Sequence, residues 1–312
     1  MAEVTNVYVV SKRDNQFGVH IVTTQPTLFV SGASGHLGRL VIAALQSRGY
    51  DGKIIAGTRD PSKLADLKGV EVRKADFTDK AGLVSALAGV DKFLIISTDQ
   101  IGTRLAGHLV AVEAAKAAGV KEIAYTSMPN PEPTSAITFA PEHFGTEEAI
   151  KASGIPYTIL RMAWYTENLL GSLPGALASG KWYSSAAGGR TGYVSRIDCA
   201  RAAAGALLLP AANKTYTVTG PAAVSNAEIA AIATRLTGKP LELVEVDDAS
   251  LAAGAKAAGV PDFVVDNFIV AFDRNAREGK VDLATDAVET LWGTKPESVE
   301  VVLVAHKAAL AA

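Results

Sequence analysis

The stretch Thr27-Leu-Phe-Val-Ser-Gly-Ala-Ser-Gly-His-Leu-Gly38 limits the fold more than any other part of the sequence. Leu28, Phe29 and Val30 form an apolar run suited to a buried strand. Gly32, Gly35 and Gly38 follow, and then Leu37, Leu40, Val41, Ala44 and Leu45 recur at helical spacing up to Gly49. A strand therefore turns tightly into a helix through a glycine-rich loop. That arrangement aims backbone N–H groups and the positive end of a helix dipole at an anion, most often a dinucleotide pyrophosphate. Gly32 permits the sharp turn, Gly35 lets a phosphate approach, and Gly38 lets the helix sit close to the strand.

The spacing is G-x-x-G-x-x-G, where most dehydrogenases have G-x-G-x-x-G, and it points to the short-chain dehydrogenase side of the dinucleotide-binding folds. A structural turn that binds nothing is the alternative; the strand before and the amphipathic helix after weigh against it. With 312 residues, 48% hydrophobic and 20% charged, the chain can build a sizeable core in one large domain or one and a half. A net charge of −2 favours neither nucleic acid nor an anionic membrane as a partner. The single Cys199 suits a reducing compartment, and no Cys or His cluster suggests a metal site. No apolar run reaches bilayer length and no signal-peptide pattern appears, so a cytoplasmic protein without membrane insertion is expected.

From residue 27 onward, strand and helix patterns alternate. Strands are expected at 28–30, 53–56, 70–73, 93–96, 122–126 and 157–160, and helices at 103–118 and 142–152. Asp60-Pro61 opens a short helix, with Asp60 as N-cap. Six strands with helical crossovers imply an α/β fold, a Rossmann-type doubly wound parallel sheet. After residue 168 the alternation stops. One more strand is expected at 216–219, a helix with a Ser225/Glu228 capping box at 225–236, and short helices over 249–312. The expected organisation is an extension of unknown role at 1–26, an NAD(P)-binding core at 27–168, and a smaller, mostly helical substrate cap at 169–312 that returns at least one strand to the core sheet. Substrate would lie between core and cap. Residues 1–26 allow a hairpin, a loose extension or a misassigned start codon.

The end of the second strand distinguishes NADH from NADPH. It reads Gly57-Thr-Arg-Asp60, with Lys63 nearby. Arg59 is expected to hold the 2′-phosphate, a charge-assisted hydrogen bond being worth about 1.5–3 kcal/mol. Asp60 leaves room for NADH as a weaker cofactor, although capping alone explains it. Asp76 and Phe77, after the third strand, either border the adenine or serve as turn and core residues. Ser97 and Thr98 after the fourth strand, and Ser127 and Met128 after the fifth, lie where ribose and nicotinamide should pass.

Most short-chain dehydrogenases carry a Tyr and a Lys four residues apart on the helix after the fifth strand, where the Tyr hands a proton to the substrate. Here that helix reads His143-Phe-Gly-Thr-Glu147. The spaced pair Tyr8 and Lys12 precedes the glycine loop in a β-prone stretch and is taken as chance. Without the relay, simple ketone chemistry is disfavoured. A quinone accepts hydride readily and its product takes a proton from water, so positioning the ring can suffice. His143 is a candidate proton donor near neutral pH, with a helix-start structural role as the alternative.

Gly32-Ala-Ser-Gly-His-Leu-Gly38, Thr58-Arg59-Asp60-Pro61, Ile123-Ala-Tyr-Thr-Ser127, His143-x-x-Thr146-Glu147 and Leu160-Arg-Met-Ala-Trp-Tyr-Thr-Glu-Asn168 together resemble the NmrA-like atypical short-chain dehydrogenases, in particular the quinone-reductase and triphenylmethane-reductase branch. The resemblance covers nearly everything from Thr27 on. It implies NADPH binding by Gly32, Ala33, Ser34, Gly35, His36 and Leu37, by Arg59, by Ser97, Thr98 and Asp99, and by Arg161, Met162, Ala163 and Trp164 after the sixth strand. Relatives commonly carry Asn where this chain has Met162, which removes a polar contact near the nicotinamide. Trp164, Tyr165 and Asn168 are candidate walls for a flat acceptor, with Trp164 and Tyr165 as core at the domain junction the alternative. Tyr165 joins His143 as a candidate catalytic group.

The expected function is NADPH-dependent hydride transfer to a quinone-like acceptor, by an enzyme of the NAD(P)H:quinone oxidoreductase kind. The alternative is a non-catalytic NADP(H)-binding redox sensor acting through a partner protein. A homodimer is an open option.

Overall fold

A computed structural model describes residues 6–13, 16–23 and 25–311. It begins with an antiparallel hairpin, β1 (Asn6–Arg13) and β2 (Gln16–Thr23), paired from Asn6 with Thr23 to Arg13 with Gln16. Of the 1–26 extension, residues 1–5, 14, 15 and 24 lie outside the described residues.

The apolar runs then become β3 (Leu28–Val30), β4 (Ile54–Thr58), β5 (Glu71–Lys74), β6 (Lys92–Ile95), β7 (Glu122–Ser127) and β8 (Tyr157–Met162). Past β8 come β9 (Lys181–Ser184) and β10 (Arg190–Thr191), and β11 (Lys214–Val218) rejoins the main sheet. The strand order is β11-β8-β7-β6-β3-β4-β5, parallel throughout. The chain runs outward from β3 to β5, returns to β6 beside β3, and proceeds the other way. The crevice between β3 and β6 is therefore a topological switch point, where open α/β sheets bind ligands at the strand carboxyl ends.

Alternation along each strand feeds two cores. Leu28 and Val30 face a layer made by α1 (His36–Ser47) and later segments, while Phe29 faces α2 (Lys80–Ala86), α3 (Arg104–Ala118) and α4 (Ala140–Ala152). Phe29 meets Phe93 edge-on at 5.4 Å. After α5 (Leu173–Ser179), α6 (Arg196–Leu208) packs beside α1, and the short helix Ala287–Trp292 packs on α6. The expected doubly wound sheet is thus the observed one. Residues 196–218 and 287–292 join its layers in space although they follow residue 168.

The rest of the C-terminal segment has its own core around Leu173, Tyr193, Ile229 and Leu303. It holds β12 (Val224–Ser225) paired with β10, β13 (Glu242–Glu245) paired with β9, α7 (Asn226–Thr237) and α8 (Asp248–Ala257). The Ser225/Glu228 capping box is formed at α7. Among the described residues no helix is long and apolar enough to cross a membrane.

Candidate active site

The glycine loop owes its shape to backbone contacts. Gly32 adopts a φ of +59°, which L side chains rarely take. A Cβ on Gly38 would stand 2.4 Å from the Gly32 carbonyl oxygen and 2.7 Å from Ala33 Cα, so α1 can approach the turn only through a glycine. Gly35 is the N-cap of α1. It supplies no side-chain cap, and the first turn carries no acidic residue, which leaves orphan N–H groups for an anion. Gly38→Ala is expected to cost about 1–3 kcal/mol in urea unfolding, as an overpacked site does. Gly254→Ala is the contrast. This helical position has open space around it, and alanine there should stabilise by about 0.4–1 kcal/mol. Equal effects of the two substitutions would contradict the packing role of Gly38.

A groove of about 450 Å³ crosses the carboxyl ends of β3 to β6. Gly32, Ser34, Gly35, His36 and Leu37 line it near β3, Arg59, Asp76 and Phe77 near β4 and β5, and Ser97, Thr98 and Asp99 after β6. Ala33 does not line it: its side chain is fully buried and its N–H bonds the Gly57 carbonyl at 3.0 Å. Lys63 lines the groove with Arg59, giving two cations at that end. Asp60 Oδ1 accepts from Ser62 N at 3.1 Å and from Ser62 Oγ at 2.6 Å. These hydrogen bonds hold its carboxyl below the usual range and fix it as a cap. Asp76 likewise accepts from the Thr78 N–H and hydroxyl, while Phe77 packs edge-on against Phe93 and His108. Both have a structural role as well as a place in the groove wall.

A second cavity, of about 470 Å³, shares Ser97, Asp99 and Tyr165 with the groove. Ser127, Met162, Ala163 and Trp164 line it from the core. Trp164 begins a continuous aromatic wall. Phe268 and Phe272 arrive on the π-helical segment Val265–Val270 and the helix Ala271–Arg277, and a π-turn often marks a functional site. Phe272 lies with its ring centroid 3.7 Å from that of Trp164, and Phe268 stacks on Phe272 at 6.2 Å. No local sequence signal marks these phenylalanines or Phe263 as site residues, because they follow Trp164 by about a hundred residues.

Behind the cavity lies a buried polar chain. Arg104 Nη1 donates to His143 Nε2 at 2.7 Å, so the ring proton of a neutral His143 sits on Nδ1 and is donated to Tyr125 Oη at 2.9 Å. Burial and the adjacent Arg104 cation push the His143 pKa well below its ordinary value. This corrects the expectation of a proton donor near neutral pH. His143 lines the cavity but is neutral, and its one proton faces Tyr125. Tyr165 sits where groove and cavity meet, its phenol pushed up by burial and its ring under the Arg196 guanidinium at 5.0 Å.

Two other expected site residues point elsewhere. Arg161 Nε and Nη2 donate to Glu147 at 2.9 and 2.8 Å, and its Nη1 meets Glu132 at 3.0 Å. Along β8 successive side chains alternate in direction, so Met162 reaches the cavity and Arg161 reaches α4 instead. Asn168 accepts from Arg196 at 3.0 Å and lines a third cavity of about 950 Å³ beyond Trp164.

A switch-point groove joined to a flat-walled apolar cavity defines a dinucleotide-binding α/β protein of Rossmann type. The chain belongs to the NAD(P)H-binding family, whose family model matches residues 32–210. It is 40% identical over 240 residues to quinone oxidoreductase 2 of Escherichia coli (strain K12), covering 76% of this chain and 84% of that one. The crystal structure of the NADPH-dependent quinone oxidoreductase QOR2 with NADPH from the same organism matches at TM-score 0.85 and 36% identity, over 90% of this chain and 99% of that chain. The Citrobacter sp. triphenylmethane reductase complexed with NADP(H) matches at TM-score 0.82 and 33% identity, over 90% and 100%. These agree with the resemblance drawn from the motifs.

Proposed function

We propose that this protein is an NADPH-dependent reductase that passes hydride to a quinone-like acceptor in the cytoplasm. The observation that carries the reading is the junction at Ser97, Asp99 and Tyr165. It joins a groove suited to a dinucleotide with a flat aromatic cavity suited to an aromatic acceptor. The residues fit NADPH in particular. Orphan N–H groups at α1 would hold the pyrophosphate, and Arg59 with Lys63 would hold the 2′-phosphate. Asp60, which caps its helix by accepting from Ser62 at Oδ1, is not among the residues that line the groove, which disfavours its serving the ribose hydroxyls of NADH. When bound, the cofactor supplies a hydride. The chain orients the acceptor against the aromatic wall formed by Trp164, Phe268 and Phe272, without a proton relay. The relatives' names, quinone oxidoreductase and triphenylmethane reductase, support that acceptor class.

The test is the loss of NADPH absorbance with purified protein and a panel of benzoquinones, naphthoquinones and triphenylmethane dyes. Tight NADPH binding with no oxidation by any acceptor would replace this reading with a sensor. Arg59→Ala should weaken NADPH by roughly ten- to hundredfold and NADH far less. Equal weakening would remove Arg59 from the 2′-phosphate.

A further inference from the structure

Among the described residues Arg104 has no carboxylate within salt-bridge distance. The residue is 6% exposed, and a buried guanidinium is costly unless its charge is answered. Nε donates to the Thr98 carbonyl at 2.6 Å and Nη1 to His143 Nε2 at 2.7 Å, both neutral acceptors. Among the described residues Nη2 has no hydrogen-bond partner. Asp99 and Glu142 act on the cation from beyond salt-bridge distance. The Phe139 ring lies 5.5 Å away, and Arg104 lines the mostly apolar cavity beside Asp99, Ile101 and Ile137.

We propose that Arg104 receives an oxygen of the acceptor and stabilises the negative charge that develops on it, so that the site selects acceptors whose reduction places charge on oxygen. The proposal rests on the reductase reading above. Hydride addition reduces the quinone by two electrons at the expense of the bound dihydronicotinamide. The charge left on a ring oxygen is then neutralised by a proton from water. Thr98 and His143 hold the guanidinium fixed beforehand, so no reorganisation is needed as charge appears. A cationic triphenylmethane dye behaves oppositely. Hydride addition cancels its charge and creates no oxyanion, and Arg104 repels it beforehand.

Two measurements test this. With quinones, Arg104→Met should lower kcat by about 10²–10³-fold, the usual effect of losing a charge-stabilising donor, whereas turnover of a cationic dye should rise. Arg104→Lys keeps the charge but not the fork, and should fall between wild type and Met with quinones. If the Met variant fails to fold, the Lys variant carries the comparison. Equal losses for quinone and dye would overturn the proposal. The second measurement needs no turnover. 4-Nitrophenol bound to the wild-type protein should be held as its phenolate, its apparent pKa lowered by about 1–3 by the nearby cation and restored in Arg104→Met. A bound nitrophenol with its solution pKa, or no binding at all, would overturn the proposal even if quinones are reduced. A lowered pKa without quinone turnover would defeat only the reductase reading.

Discussion

Glu147→Leu is expected to cost about 3–5 kcal/mol, because it removes the buried carboxylate of an ion pair and leaves Arg161 with Glu132 alone. Glu147 stands where most short-chain dehydrogenases carry their catalytic lysine, and it is fully buried. It accepts from Ser127 Oγ at 2.6 Å, from Arg161 Nε at 2.9 Å and from Arg161 Nη2 at 2.8 Å. Leucine would strand the Ser127 hydroxyl and half of the guanidinium. At roughly 2–4 °C per kcal/mol for a large domain, the melting temperature should fall by on the order of 10 °C. The double variant Glu147→Leu, Arg161→Met should recover most of the loss, since an apolar pair of similar volume often replaces a buried ion pair without penalty. A double variant as unstable as the single one would show that Glu147 acts through other partners. The relay that the sequence lacks is thus absent for a structural reason: both of its slots are filled by static networks, His143 with Arg104 and Glu147 with Arg161.

What could be read from the sequence follows from how local each signal is. The glycine loop, β3 and α1 are specified by neighbouring residues, and the expected strands match within one or two residues. The alanine-rich α6 shows little amphipathic contrast because it is buried nearly all round, so no periodicity marks it. Its close packing on the helix Ala287–Trp292 depends on Gly205, where a Cβ would stand 2.2 Å from the Leu291 carbonyl oxygen. The short pairings of β9 with β13 and of β10 with β12 join residues far apart and were equally hidden. In the site, the groove residues were legible because they follow strand ends in order. Arg161 was misplaced because adjacency to Met162 says nothing about which face of β8 each occupies. Arg104 was missed because an arginine in the first turn of a helix carries no sign that it will be buried.

Acidification should destabilise this protein well before the carboxylates held low by their hydrogen bonds protonate. His108 is buried, accepting from the Thr98 N–H at Nε2 and bonded to Thr146 through Nδ1, and burial with the Arg104 charge lowers its pKa from 6.5 to about 3. His143 is lowered well below 6.5 by the same causes, burial first and Arg104 second. In the unfolded chain both rings bind a proton near 6.5, while the folded state holds them neutral. Below that pH the unfolded state therefore binds more protons, and stability falls as pH drops from about 6.5 toward 3. For His108 alone the loss reaches about 2 kcal/mol by pH 5, and His143 adds a loss of the same sign in the same window. Asp60, Asp76 and Asp248, whose folded pKa values are depressed by their hydrogen bonds, lose their contributions only below the ordinary carboxylate range, so the two effects separate on the pH axis. Urea unfolding between pH 7.5 and 5 measures the slope. His108→Gln keeps one acceptor and one donor but cannot titrate, and its stability should fall about half as steeply. An unchanged slope in that variant would mean that His108 takes up no proton on unfolding and would remove it from the account of acid lability.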